Sequence, residues 1–215
     1  MVRKDIKEFI KTIPEDVTIV AATKYIDSND MLVLYNNGIK NFGENRVDSF
    51  LNKYNDLKEY KDIKWHFIGH LQRNKAKLIL NKIDYLHSLD SLELARIISK
   101  NRTSPLKVFI EVSINLEETK NGVPFYNAKE FVSQLRQISN IEICGLMMMA
   151  IKGSEDTQTQ FRKLRELRDS IEKELNIKIP YLSMGMSDDY KEALKEGATH
   201  IRLGRISTVQ TSSRH

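Results

Sequence analysis

Lys24 is the residue of this 215-residue chain whose type and place most suggest covalent chemistry. It follows Val20-Ala21-Ala22-Thr23, where an apolar strand should end. A lysine there is either a solvated charge or, if apolar walls exclude water, an amine of lowered pKa that attacks a carbonyl to form a Schiff base. The residue types leave both readings open. Far downstream, Ser183-Met184-Gly185-Met186-Ser187 reads as a loop after one strand, and Arg202-Leu203-Gly204-Arg205 as the turn after another. Gly185 lets backbone amides turn inward and the Ser183 and Ser187 hydroxyls add donors, a set that suits phosphate. The alternative is a glycine-containing turn in which Ser187 caps the next helix. Asp188 and Asp189 follow directly and would repel a phosphate unless they point away from it.

Three more residues stand at strand ends. Asn45, in Phe42-Gly43-Glu44-Asn45-Arg46, either hydrogen-bonds a ligand or caps the helix that follows. His66 alternates with Trp65 and Phe67, so it should face away from them, most simply as a structural histidine. Met147, in Gly145-Leu146-Met147-Met148-Met149, either fills a core gap or lays its thioether on a flat aromatic ligand. A lysine, a phosphate cradle and an arginine at one mouth ask for a phosphorylated carbonyl compound.

Such residues need a frame that brings distant strand ends together. Short apolar runs at Val17–Ala22, Ile39–Phe42, Lys64–Ile68, Ile83–His87, Leu106–Val112, Ile141–Leu146, Ile179–Leu182 and Thr199–Leu203 read as strands. Between them lie helical stripes such as Phe131, Val132, Leu135 and Ile138, or Phe161, Leu164, Leu167, Ile171 and Leu175. Asp90 with Glu93 has the capping-box spacing, Ser28 and Asn29 open a helix, and Gly38 and Gly197 end helices. A further helix, Val2–Thr12, precedes the first strand. Strands separated by helices pair in parallel through crossovers. Eight of them predict an α/β fold of one domain over residues 1–215: a single (β/α)8 TIM-type barrel, whose chemistry belongs at the carboxyl ends of its strands. An open doubly wound sheet is the alternative.

Composition narrows the function. With 40% hydrophobic and 29% charged residues the chain is ordinary for a globular protein, and no apolar run reaches the ~20 residues of a membrane span. The start, Met1-Val2-Arg3-Lys4-Asp5, leads into no apolar signal core, and the lone Cys144 has no disulfide or metal-ligand partner, so reducing cytoplasm is the expectation. The net charge of +5 is dispersed among acids, which argues against nucleic acid.

The motifs Ala21-Ala22-Thr23-Lys24, Phe42-Gly43-Glu44-Asn45, Trp65-His66-Phe67-Ile68-Gly69-His70-Leu71-Gln72, Lys120-Asn121-Gly122, Gly145-Leu146-Met147, Ser183-Met184-Gly185-Met186-Ser187-Asp188-Asp189 and Arg202-Leu203-Gly204 occur in order. With them the chain, from about Val17 to Gly204, resembles the pyridoxal-phosphate homeostasis proteins, which look like the barrel of alanine racemase without its second domain. The resemblance implies pyridoxal 5′-phosphate held as an internal aldimine on Lys24. It implies phosphate contacts from Ser183, the Met184 backbone, Gly204 and the Arg205 backbone, with Arg202 facing the pyridine nitrogen and Asn45 and Met147 lining the ring. An arginine there leaves that nitrogen largely unprotonated and weakens the ring as an electron sink. Two departures stand out: Ile26 replaces a second lysine common in the family, and the chain ends in Arg205-Ile206-Ser207-Thr208 and a polar tail.

Three functions compete. The resemblance implies a monomeric, non-catalytic cofactor carrier in cofactor homeostasis, with pyridoxal phosphate as ligand and apo-enzymes as acceptors. An amino-acid racemase needs acid/base groups on both faces of its substrate, one of which comes from a domain this chain has no room for. A Schiff-base aldolase would not need an arginine beside a ring nitrogen.

Overall fold

The computed structural model describes residues 5–114, 121–151 and 156–207. Its strands are β1 (Thr18–Ala22), β2 (Asn41–Glu44), β3 (Lys64–Phe67), β4 (Tyr85–Leu89), β5 (Leu106–Ser113), β6 (Val123–Pro124), β7 (Ile141–Met147), β8 (Tyr181–Met186) and β9 (His200–Leu203). The helices are α1 (Ile6–Lys11), α2 (Ser28–Asn36), α3 (Val47–Leu57), α4 (Arg73–Ile79), α5 (Leu92–Asn101), α6 (Ala128–Leu135), α7 (Thr157–Leu175) and α8 (Tyr190–Lys195). Neighbouring strands pair in parallel in the order β1-β2-β3-β4-β5-β7-β8-β9, and β9 returns to β1, which closes an eight-stranded barrel. The short β6 pairs only with β5, outside the ring. An open sheet is thereby excluded, and every barrel strand delivers its carboxyl end to one rim.

Local signals explain several boundaries. Asp27 caps α2 by accepting from the Asp30 amide, and Asn176 closes α7 in the left-handed region. For α5 the cap is Ser91, accepting from Leu94 N at 3.3 Å, one residue later than the Asp90 box expected from sequence. Several strand ends also move, β4 among them, which runs Tyr85–Leu89 rather than Ile83–His87. β2 runs to Glu44 rather than Phe42, and β8 continues through Ser183 to Met186, a stretch whose composition reads as a turn. Pairing with both neighbours carries β8 on, with a register shift toward β9. Gly185 sits in that stretch at φ +92°, where a Cβ would lie 2.7 Å from that of Ala193, so only glycine lets α8 pack this close.

The amphipathic stripes face the barrel: Val132 and Leu135 of α6 and Phe161, Leu164 and Ile171 of α7 are buried against it. Trp65 points outward into this layer, with Phe50 5.3 Å away ring to ring. His66 points the other way, as alternation requires. Inside, the barrel is aromatic: His66 stacks on Tyr85 at 4.5 Å and His87 on Phe109 at 4.3 Å, with Tyr181 and His200 alongside. α1 packs against α8 through Phe9 and Tyr190. Of the expected tail, Arg205–Ser207 forms a 3-10 turn with Ile206 buried, and 208–215 lie outside the described residues, as do Lys120 and the first four residues.

Candidate functional site

A cavity of about 660 Å³ opens at the carboxyl ends of the strands, a size usual for small-molecule sites. Its wall includes Lys24 after β1, Asn45 after β2, Glu111 of β5, Met149 after β7, Ser187 after β8, and Arg202, Gly204 and Arg205 from β9 and its turn.

Lys24 sits on a fixed base. The preceding Thr23 donates its amide to Gly43 O at 2.9 Å and its hydroxyl to Glu44 Oε1 at 2.7 Å. Lys53 of α3 reaches up to Thr23 O at 2.5 Å and pairs with the fully buried Glu44. The turn before Lys24 is thus tied to β2 and α3 by a buried ion pair with its lone pairs and protons largely satisfied. Lys24 itself is exposed, with Nζ 4.6 Å from the centre of the Tyr25 ring. The sequence left solvated and dehydrated lysines open; the structure has the exposed one, at the rim of a cavity.

Arg202 is held from one side. Its NH1 nitrogen donates to Ser183 O at 2.8 Å and Ser183 Oγ at 2.7 Å, and NH2 donates to Met148 O at 3.0 Å. Those bonds use three of the five guanidinium N–H groups, and the rest have no acceptor among the described residues. Burial pulls its pKa down to about 10, against the carboxylates of Glu111 and Asp189, so it remains a cation at neutral pH. Glu111, only 6% exposed, is pushed up to about 7 by burial and by Asp90, against the pull of Arg202.

Asn45 is not a helix cap, since α3 begins after Arg46 with no side-chain cap bond. Its Oδ1 is buried without a hydrogen-bond partner. Gly69 seats it: a Cβ at Gly69 would lie 2.4 Å from the Asn45 carbonyl oxygen. On the opposite wall, Arg205 pairs with Asp188, and Ser187 Oγ accepts the Arg205 amide at 3.1 Å. Asp189 Oδ1 accepts the Met186 amide at 2.6 Å. Both aspartates line the cavity instead of pointing away, but each is already engaged.

Of the residues singled out from sequence, Lys24, Asn45, Arg202, Gly204 and Arg205 come together around this cavity; Ser183, Met184 and Met147 do not. Ser183 is fully buried because β8 continues past it, and its hydroxyl is engaged by His87 and Arg202. Met184 is buried within the same strand, and Met147 packs inside the barrel on Phe109 and Cys144. The hydroxyl and thioether that do reach the cavity belong to Ser187 and Met149, four and two positions further along. Had β8 been read to Met186, Ser187 would have stood just past the strand's carboxyl end, at the mouth. Glu111 was missed altogether, although an acid inside the apolar run Val108–Val112 is the sequence signal for it.

With the geometry in place, the comparisons with known proteins fall into line. A family model described as the alanine racemase N-terminal domain matches residues 3–210, so the chain belongs to that family of barrels. The pyridoxal phosphate homeostasis protein of Aquifex aeolicus is 42% identical over 193 residues, covering 87% of this chain and 84% of that one. PipY of Synechococcus elongatus, in a structure with PLP bound, superposes with a TM-score of 0.85 at 30% identity, over 94% of this chain and 99% of that one. Alanine racemase from Corynebacterium glutamicum shares the fold, with a TM-score of 0.73 at 12% identity, over 98% of this chain but 61% of that one.

Proposed function

We propose that the chain binds pyridoxal 5′-phosphate in this cavity, with Lys24 as its covalent anchor in an internal aldimine, and serves intracellular cofactor homeostasis rather than catalysis. The observation that carries the reading is the convergence of Lys24, Arg202 and Gly204 on one cavity with the partnerless Asn45 Oδ1 beside them. When bound, the cofactor supplies an aldehyde for an amine and a ring able to spread negative charge. Lys24 offers an accessible amine from a rigid turn. The uncommitted N–H groups of Arg202 face a ring acceptor, Asn45 meets the ring's polar edge, and Met149 offers a thioether to its face. Ser187, Gly204 and Arg205 take the phosphate end, where the Ser187 hydroxyl hydrogen has no acceptor among the described residues.

Names of relatives at 30–42% identity support the homeostasis role. A charged Arg202 at the ring nitrogen would leave that nitrogen unprotonated and weaken the ring as an electron sink. The chain would then act as a monomer that buffers the cofactor or passes it to apo-enzymes. A spectral titration with pyridoxal phosphate and with pyridoxal tests the site. Several charge-assisted hydrogen bonds of roughly 1.5–3 kcal/mol each should make the phosphorylated aldehyde bind far more tightly. Equal binding of the two would rule out the phosphate end.

A further inference from the structure

Beneath the cavity a line of hydrogen bonds crosses the barrel interior. Arg202 donates to Ser183 Oγ; Ser183 Oγ lies 2.8 Å from His87 Nδ1; His87 Nε2 lies 2.8 Å from His66 Nδ1; His66 Nε2 lies 3.0 Å from Asn41 Oδ1, at the amino end of β2. Each of Ser183, His87 and His66 is at most 0% exposed, so water does not compete for these bonds.

The direction of the line follows from donor and acceptor counting. A guanidinium only donates, so Ser183 Oγ accepts from Arg202 and its own hydrogen must go elsewhere. His87 Nδ1 is the remaining group within reach, and it must therefore be the unprotonated nitrogen. The His87 proton then sits on Nε2 and points at His66 Nδ1, which accepts. His66 in turn carries its proton on Nε2 and gives it to Asn41 Oδ1, an acceptor. The opposite direction would aim two donors at Ser183 Oγ and leave a buried hydroxyl hydrogen without an acceptor.

We propose that Ser183, His87 and His66 are positioning residues for Arg202: they form a one-way hydrogen-bond chain that fixes the guanidinium in the cavity wall with its free N–H edge toward the ligand. The inference rests on the cofactor reading only for what meets that edge; the chain itself is a property of the barrel. Among the described residues no carboxylate lies within ion-pair distance of Arg202 to draw its donors away from the cavity, and a neutral relay holds the cation instead. Burial keeps both imidazoles well below the ordinary histidine range, as the relay requires.

Long-range 1H–15N correlation spectra of the unaltered, histidine-labelled protein at pH 7.5 read the tautomers directly. His66 and His87 should both be neutral with the proton on Nε2. In Ser183→Ala the direction is no longer imposed, so both imidazoles should show mixed tautomers and the Arg202 Nε–H signal should shift. Cofactor affinity should fall roughly tenfold, the scale of one charged hydrogen bond. A proton on His87 Nδ1 in the unaltered protein, or an Arg202 signal that Ser183→Ala leaves unmoved, overturns the proposal. An unaltered chain that shows these tautomers and does not bind pyridoxal phosphate would sink the cofactor reading and leave the relay standing.

Discussion

Lowering the pH from 7.5 to 5.5 should destabilise the cofactor-free protein, and the groups responsible are buried in the barrel. Burial first, then neighbouring positive charge, holds His66 and His87 well below the ordinary histidine range and His200 at about 4. These three stay neutral when folded, whereas in the unfolded chain each takes up a proton near pH 6.5. The unfolded state therefore binds more protons and stability falls with pH, by about 1.4 kcal/mol per histidine across this interval, or about 4 kcal/mol for three. Glu111 works in the opposite sense. Its folded pKa of about 7 lies above the unfolded value, so it gains a proton on folding and returns about 2 kcal/mol as the pH drops. The net expectation is a loss of about 2 kcal/mol, rising to about 4 kcal/mol in Glu111→Gln, where the offset is gone. Urea denaturation of both proteins at the two pH values measures it. A stability that is flat or higher at pH 5.5 in Glu111→Gln would refute the neutral interior.

Lys53→Met should cost about 3–5 kcal/mol in the same assay, because it leaves the fully buried Glu44 without its cation. Replacing both partners with apolar residues should cost less than that single change. Holo protein incubated with amino acids in deuterium oxide should show no robust α-proton exchange by NMR; steady-state racemisation of one of them would overturn the carrier reading. Gly69→Ala should displace Asn45 and weaken cofactor binding, since the added Cβ meets rigid backbone; a spectral titration with unchanged affinity would show that Asn45 is not at the ring.

The barrel was legible in the sequence because each strand and helix carries its own period and each parallel strand needs its crossover. Lys24, Asn45, Arg202 and Gly204 were legible because a barrel puts strand ends at one mouth. What escaped depended on pairing between distant segments. Whether β8 stops at Leu182 or runs to Met186 is decided by β7 and β9, and that difference exchanges Ser187 for Ser183 at the cavity. Met149 replaces Met147 for the same kind of reason: the side chain of Met147 follows the strand into the barrel. His66 faces into the barrel as alternation predicts, but its partner His87 lies 21 residues away and nothing in the local pattern joins them.

The central claim is that Lys24 anchors pyridoxal 5′-phosphate, and borohydride trapping with peptide mass mapping tests it most directly. Reduction of the cofactor-loaded protein should fix one pyridoxyl phosphate group on Lys24, and Lys24→Ala should fold normally yet trap none, because its exposed side chain contributes little packing. A trapped group on another lysine, or an adduct that survives in Lys24→Ala, would contradict the account.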